Sequence, residues 1–135
     1  MVQILLVTPE RGSLSEFGSA LAEHGDVAIL WARSGHEALD LISETDVDLV
    51  VTDEGVGDMT GLELIRRLIR VRPMIHCAPV SALSSHDFHE ASEGLGVLAQ
   101  VSVRPGRKQA KDLLARLRKI KDLEAGRPGI GGEDS

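Results

Sequence analysis

Short apolar runs alternate along this chain with longer stretches in which apolar residues recur every three or four positions. The first run, Val2-Gln3-Ile4-Leu5-Leu6-Val7, ends at Thr8-Pro9 and predicts a strand. Leu14, Phe17, Leu21 and Ala22 then share one helical face, closed by Gly25. Ser13 stands as the N-cap of that helix, with Glu16 three residues on, as in a capping box. Val27 to Trp31 predicts a second strand, and Ala38, Leu39, Leu41 and Ile42 a second helix after the turn at Ser34-Gly35. Asp48 to Thr52 is apolar without alternation, the pattern of a strand buried on both faces. It runs into Asp53 and a glycine-bearing turn, and Leu62, Ile65 and Ile69 start a third helix near Thr60. Met74 to Val80 predicts a fourth strand, its end blurred by Pro79, which has no N–H to give to a ladder. Phe88, Ala91 and Leu95 predict a short fourth helix. Val97 to Val103 predicts a fifth strand, broken by Arg104-Pro105-Gly106. Leu113, Leu114, Leu117 and Ile120 mark a fifth helix.

Strand followed by helix, five times over, predicts a parallel sheet covered on both faces. At 135 residues the expected form is an α/β, doubly wound, flavodoxin-like three-layer sandwich with sheet order 2-1-3-4-5. Residues 1–122 make one domain on this reading. Residues 123–135 are Gly-rich and acidic with no apolar period, and are expected to be a disordered tail. A hydrophobic content of 42% supplies a core, but aromatics are only 2%, which leaves no base-stacking platform. The formal charge of -6 argues against direct nucleic-acid binding. No apolar run approaches the length of a membrane span, so the expected location is cytoplasmic, away from the membrane. The lone Cys77 excludes an intrachain disulfide and a cysteine-based zinc site.

Candidate chemistry begins with Asp53. In an open α/β sheet, ligands gather beyond the carboxyl ends of the strands, where Asp53 would stand. By itself a strand-end aspartate also reads as a cap on the turn that follows. Gly55, Gly57 and Gly61 form G-x-G-x-x-x-G, one residue off a dinucleotide fingerprint and in the third βα unit rather than the first. A nucleotide or small-molecule binder of flavodoxin-like fold is therefore a remote alternative. His86, His89 and Glu90 could share a helix face but lack a further strong metal ligand at obvious spacing. His76 and Cys77 are strand neighbours on opposite faces, which disfavours a Cys-His pair. Lys108, Lys111, Arg116, Arg118, Lys119 and Lys121 on the fifth helix, and Arg66, Arg67, Arg70 and Arg72 around the third, read as solvated faces or as docking surfaces.

Several landmarks in order resemble the receiver domain of two-component response regulators. They are Ile4-Leu5-Leu6-Val7 leading into Glu10, Ala32 to Leu39, Asp48 to Leu64 with Met59 and Gly61 after Asp53, Ser81-Ala82, Gly96, and Arg104-Pro105. The resemblance spans roughly residues 2–121. It implies a non-enzymatic signalling domain in a phosphorelay, with a histidine kinase or another signalling protein as partner. It also implies a homodimer or partner surface on the fourth helix, fifth strand and fifth helix. Asp53 matches the phosphoacceptor, Ser81 the hydroxyl and Arg104 the cation that meet the phosphoryl group. Asp53 and the carbonyl of Gly55 match metal ligands.

The departures weaken that site. The family's acidic pair after the first strand is replaced by Thr8 and Pro9, leaving Glu10 as the one nearby carboxylate, one residue out of place. Mg²⁺ gives up water reluctantly and favours carboxylates, so any Mg²⁺ binding is expected to be weak. Arg104 replaces a lysine and could pair bidentately with Asp53, locking it. Gly57 replaces the usual proline, and Val101 stands where receivers commonly carry an aromatic switch residue. These features resemble the atypical, or pseudo-receiver, variant and leave two mechanisms open. One is a phosphorelay receiver in which Asp53, as a working or vestigial phosphoacceptor, relies on weak metal help and Ser81 reports the change. The other is a phosphorylation-independent interaction module locked by an Arg104–Asp53 pair.

Overall fold

The structure is a computed structural model and describes residues 1–125. Strand β1 (Val2–Val7) is followed by a single 3₁₀ turn (Arg11–Leu14) and helix α1 (Ser15–Ala22). Then come β2 (Val27–Ala32), α2 (Gly35–Glu44), β3 (Leu49–Thr52), α3 (Gly61–Val71), β4 (His76–Pro79), α4 (Ser85–Ala91) and α5 (Arg107–Glu124). The strands pair in parallel in the order β2-β1-β3-β4. The doubly wound class and the first four sheet positions are those the pattern predicts.

Alternation along the strands divides the core. Ile4 and Leu6 of β1, with Leu49 and Val51 of β3, face one layer, where Phe17 and Leu21 of α1 and Leu113, Leu114 and Leu117 of α5 cover them. Leu5, Val7 and Val50 face the other, under Ala38 and Ile42 of α2 and Leu64, Ile65 and Leu68 of α3. Each of these large side chains is almost fully removed from water, worth about 1.5–3 kcal/mol apiece before the entropy cost. Helix starts follow local chemistry: Ser34 Oγ accepts from Glu37 N and Thr60 Oγ1 from Glu63 N, each at 3.1 Å.

The fifth sheet position is thinner than expected. Leu98 N donates to the Cys77 carbonyl and Val101 N to the Pro79 carbonyl, yet Val80 and Val101 form only an isolated parallel bridge. Along a strand, a residue's N–H and C=O point to the same side. Pro79 presents its carbonyl to this segment but has no hydrogen on its nitrogen, so the ladder lacks that bond and Val97 to Val103 does not become a regular strand. Helix α5 runs to Glu124, two residues past the boundary drawn at 122. The rest of the expected tail, from 126 on, lies outside the described residues.

Much of the basic surface of α5 is used internally. Arg118 forks onto Asp26 at 2.7 and 2.9 Å, Lys121 reaches Asp48 at 2.6 Å, and Lys108 pairs with Asp112 at 2.8 Å. Arg107, at the start of the helix, forks onto Glu23. No helix among the described residues is long and apolar enough to cross a membrane.

Candidate functional site: a hydroxyl-lined carboxylate

The β1 and β3 ladders continue one step past their strands. Thr8 N donates to the Ala32 carbonyl at 3.0 Å and Asp53 N to the Val7 carbonyl at 2.9 Å. These bonds set Thr8 and Asp53 side by side at the carboxyl end of the sheet. Asp53 Oδ2 accepts from Thr8 Oγ1 at 2.9 Å and from Ser13 Oγ at 2.8 Å. Asp53 Oδ1 accepts from the backbone N–H of Glu54 at 2.9 Å. Thr8 is buried and Asp53 half-buried. The two hydroxyls also lie within bonding distance of the Glu10 carbonyl, at 3.1 and 2.8 Å, and Glu10 N donates to Thr8 Oγ1 at 3.0 Å. The carboxylate, both hydroxyls and the Glu10 backbone thus form one closed network.

Ser13 corrects an expectation. It does not cap α1; the 3₁₀ turn moves the helix start to Ser15, where Leu14 takes the N-cap place without a side-chain bond. A capping serine gains a bond to a neutral N–H, whereas here the hydroxyl donates to a charged carboxylate, the stronger bond.

The site's donors do not fit a Mg²⁺ ion. Asp53 is the one carboxylate in the network, and its side-chain partners are two neutral hydroxyls, each shared between the carboxylate and the Glu10 carbonyl. Glu10 contributes its backbone to the network, and its side chain is exposed. Gly55 pairs with Thr60 in a one-residue antiparallel bridge whose bonds run from Val56 N to the Met59 carbonyl and from Gly61 N to the Glu54 carbonyl, not through the Gly55 carbonyl. Among the described residues the one cluster of three metal-type ligands is His86, Asp87 and Glu90 on α4, all exposed, and it does not include Asp53.

Ser81 follows β4, whose register sets Thr52 opposite Pro79, so it stands at the same end of the sheet as Asp53. Its hydroxyl accepts from Leu83 N at 3.1 Å. Arg104 is exposed, with a left-handed backbone at φ 53°. It is not among the partners of Asp53, whose oxygens are taken by Thr8, Ser13 and Glu54. The bidentate Arg104–Asp53 lock is not formed.

Sequence reasoning missed three contributors. Ser13 was assigned locally, although its acceptor lies 40 positions away. Glu54 sends its carboxylate to Ala82 N at 2.8 Å. Asp58 accepts from Gly35 N and His36 N at 2.8 and 3.1 Å and from His36 Nδ1, capping α2 from the loop before α3. The His36 ring and then the Gly35 N–H hold the Asp58 carboxyl far below the usual carboxylate range. No spacing signal marks Glu54 or Asp58, since both are loop acids whose partners are distant in sequence. Cys77 is buried, and burial pushes its thiol up to about 12, which removes it as a nucleophile.

The sequence model of the response regulator receiver domain family matches residues 4–102. The chain is 32% identical over 83 residues to the transcriptional regulatory protein GlrR of Escherichia coli K12, covering 62% of this chain and 18% of that protein. It spans less than half the length of the curated relatives it matches. In fold it is similar to the signal receiver domain of an HD-domain-containing protein from Pseudomonas fluorescens Pf-5. That likeness has a TM-score of 0.80 and 20% identity and covers 93% of each chain. The chemotaxis response regulator CheY4 of Vibrio cholerae is similar too, with a TM-score of 0.76 and 17% identity over 87% of this chain and 98% of that one.

Proposed function

Because the chain belongs to the response regulator receiver domain family, we propose that it serves two-component signalling as a partner-binding receiver whose output does not require phosphorylation of Asp53. The observation that carries this reading is the double donation of Thr8 and Ser13 to Asp53 Oδ2. A working phosphoacceptor needs a carboxylate lone pair free to attack and a divalent ion to neutralise the charge that develops. Here two hydroxyls hold one carboxylate oxygen, Oδ2, and the donor set offers a metal a single anionic ligand. Any role of Asp53, Gly55 and Glu10 as Mg²⁺ ligands is accordingly weak, and Ser81 and Arg104 have no phosphoryl group to meet in the working state. The partner is a histidine kinase or another signalling protein. It meets the face formed by α4, the 97–101 segment and α5, where Phe88, Leu98 and Arg116 line a cleft of 550 Å³.

The test is intact mass after incubation with a small-molecule phosphodonor and Mg²⁺, and separately with a phosphorylated histidine kinase, beside Asp53→Ala and an ordinary receiver as positive control. The expected result is no phosphate adduct on this chain under conditions that label the control. An adduct on the parent that Asp53→Ala abolishes overturns the reading and makes Asp53 a working acceptor.

A further inference from the structure

Glu54 follows the site aspartate and does more than its exposure suggests. Its backbone is pinned at both ends: its N–H donates to Asp53 Oδ1 and its carbonyl accepts from Gly61 N, each at 2.9 Å. From that fixed stem its carboxylate crosses to the loop after β4 and accepts from Ala82 N at 2.8 Å, a contact between residues 28 apart. The rest of the loop is held just as closely. Ser81 N donates to the Val101 carbonyl at 2.9 Å, Leu83 N to Ser81 Oγ at 3.1 Å, and Gln100 Nε2 to the carbonyls of Ser81 and Leu83 at 3.2 and 2.8 Å. Ser84, the next residue, caps α4 through Asp87 N at 3.1 Å. Where the loop stands therefore decides where α4 begins.

We propose that Glu54 is the resident anion of the β4–α4 loop: its carboxylate fills the Ala82 N–H from within, so the loop is set without an anion at Asp53. A backbone N–H at this end of the sheet is a receptor for negative charge, and a charge-assisted bond to it is stronger than one to water or to a neutral acceptor. The carboxylate comes from the residue joined to Asp53, so the aspartate end and the loop are linked by one side chain rather than by a diffusible group. Glu54 and Leu83 also line a cleft of 370 Å³ with Leu62, Arg66 and Phe88, and Leu83 is 44% exposed. The strut thus fixes a surface a partner can read. This inference rests on the reading of the chain as a phosphorylation-independent receiver and names what holds that receiver in its working state.

The experiment is amide hydrogen exchange and ¹H–¹⁵N spectroscopy on the full chain with no phosphodonor and no metal, comparing the parent with Glu54→Ala and Glu54→Gln. The parent's Ala82 amide is expected to be protected. Glu54→Ala raises its exchange about three- to tenfold, with exchange at Leu5 and Val50 unchanged. Glu54→Gln, which keeps an acceptor oxygen but loses the charge, retains only part of the protection, and full protection in Glu54→Gln overturns the role of the charge. Inorganic phosphate added at millimolar level shifts the Ala82 resonance in Glu54→Ala and not in the parent. Equal exchange in parent and Glu54→Ala, or a phosphate response that is the same in both, overturns the proposal. Since Asp53 is not phosphorylated in any arm, this result is independent of the mass assay, and either reading can fail alone.

Discussion

Thr8→Asp puts the hydroxyl-lined site to its most direct test, because it replaces one hydroxyl donor at the end of β1 with a carboxylate. Thr8 is 1% exposed, and its hydroxyl lies 2.9 Å from Asp53 Oδ2 and 3.3 Å from Ser13 Oγ. The new carboxylate can still accept from Glu10 N, but it loses the proton now given to Asp53 and brings a second negative charge to within about 4 Å of the first. At an effective dielectric constant of 20 that repulsion is about 4 kcal/mol, with local relaxation reducing it. In EDTA the variant should lose about 2–4 kcal/mol. At about 3–6 °C per kcal/mol for a chain of this size, that is a drop of about 6–24 °C in Tm. Mg²⁺ should then reverse part of the loss. A site binding it 100-fold below the working concentration gains about 2.7 kcal/mol, and one 10-fold below gains about 1.4 kcal/mol. The assay is thermal or urea unfolding of parent and variant in EDTA and in 10-fold graded MgCl₂ at constant ionic strength. Thr8→Val is the uncharged comparator, expected to lose about 1–3 kcal/mol by orphaning Glu10 N–H and to gain nothing from Mg²⁺. A parent that gains as much from Mg²⁺ as Thr8→Asp refutes the donor-set reasoning. A Thr8→Asp variant as stable as the parent in EDTA refutes the close network around Asp53.

Two further outcomes follow from the geometry of single positions. Gly61 and Gly35 both open helices, where alanine would ordinarily help by up to about 1 kcal/mol. A Cβ at Gly61 runs into the Asp53 carbonyl oxygen, whereas one at Gly35 meets only the Met59 side chain at 2.6 Å. Gly61→Ala should therefore destabilise by about 2–3 kcal/mol and Gly35→Ala by under about 1 kcal/mol in urea titrations; similar values for the two would refute the assignment. The Arg118 guanidinium lowers the Asp26 carboxyl to about 2. A carboxyl depressed in the folded state adds stability above its ordinary range, and that contribution fades as pH falls from about 4 toward 2. In Arg118→Ala the Asp26 midpoint, followed by carboxyl NMR, should return to about 4.

The fold was legible because its information is local and periodic. The alternation of Ile4 and Leu6 against Leu5 and Val7 is the same in the sequence as in the two core layers, and Thr60 announces α3 before any tertiary contact is known. The replacement of an acidic pair by Thr8 and Pro9 was legible too, since it needs only a register along one strand. What failed were the assignments that compare a local partner with a distant one. Ser13 fits a capping box perfectly well until the strand order brings Asp53 to its hydroxyl. Arg104 looks like the natural partner of Asp53 in the sequence, but the carboxylate's bonds go to two hydroxyls and an N–H instead. Val97 to Val103 has the composition of a strand, but whether it pairs depends on the missing hydrogen of Pro79 on the neighbouring strand. Glu54 gave no signal, because an exposed glutamate in a turn is usually solvated and its acceptor role exists only once β4 lies beside β3.

A switch needs two states of nearly equal free energy and a ligand that favours one of them. A site crowded with carboxylates has that property: mutual repulsion destabilises it when empty, and a cation or a transferred group changes the balance. In this chain the like charges beside Asp53 are replaced by hydroxyl donors, so the resting network is already satisfied and has little to gain from a cation. At the other end, the loop donor that an added anion would engage is held by Glu54. On the proposed reading, both terms that would make the energy of the loop depend on the chemical state of Asp53 are supplied by the protein itself. Removing one of them should not create a switch. Thr8→Asp alone makes the aspartate end metal-sensitive while Glu54 still holds the loop, and Glu54→Ala alone frees the loop while Asp53 stays capped. Only the double variant restores a charge at the site that a ligand can relieve and a loop that can answer it. Coupling between Mg²⁺ at the first position and the Ala82 amide at the second should therefore emerge in the combination and be absent from either single variant.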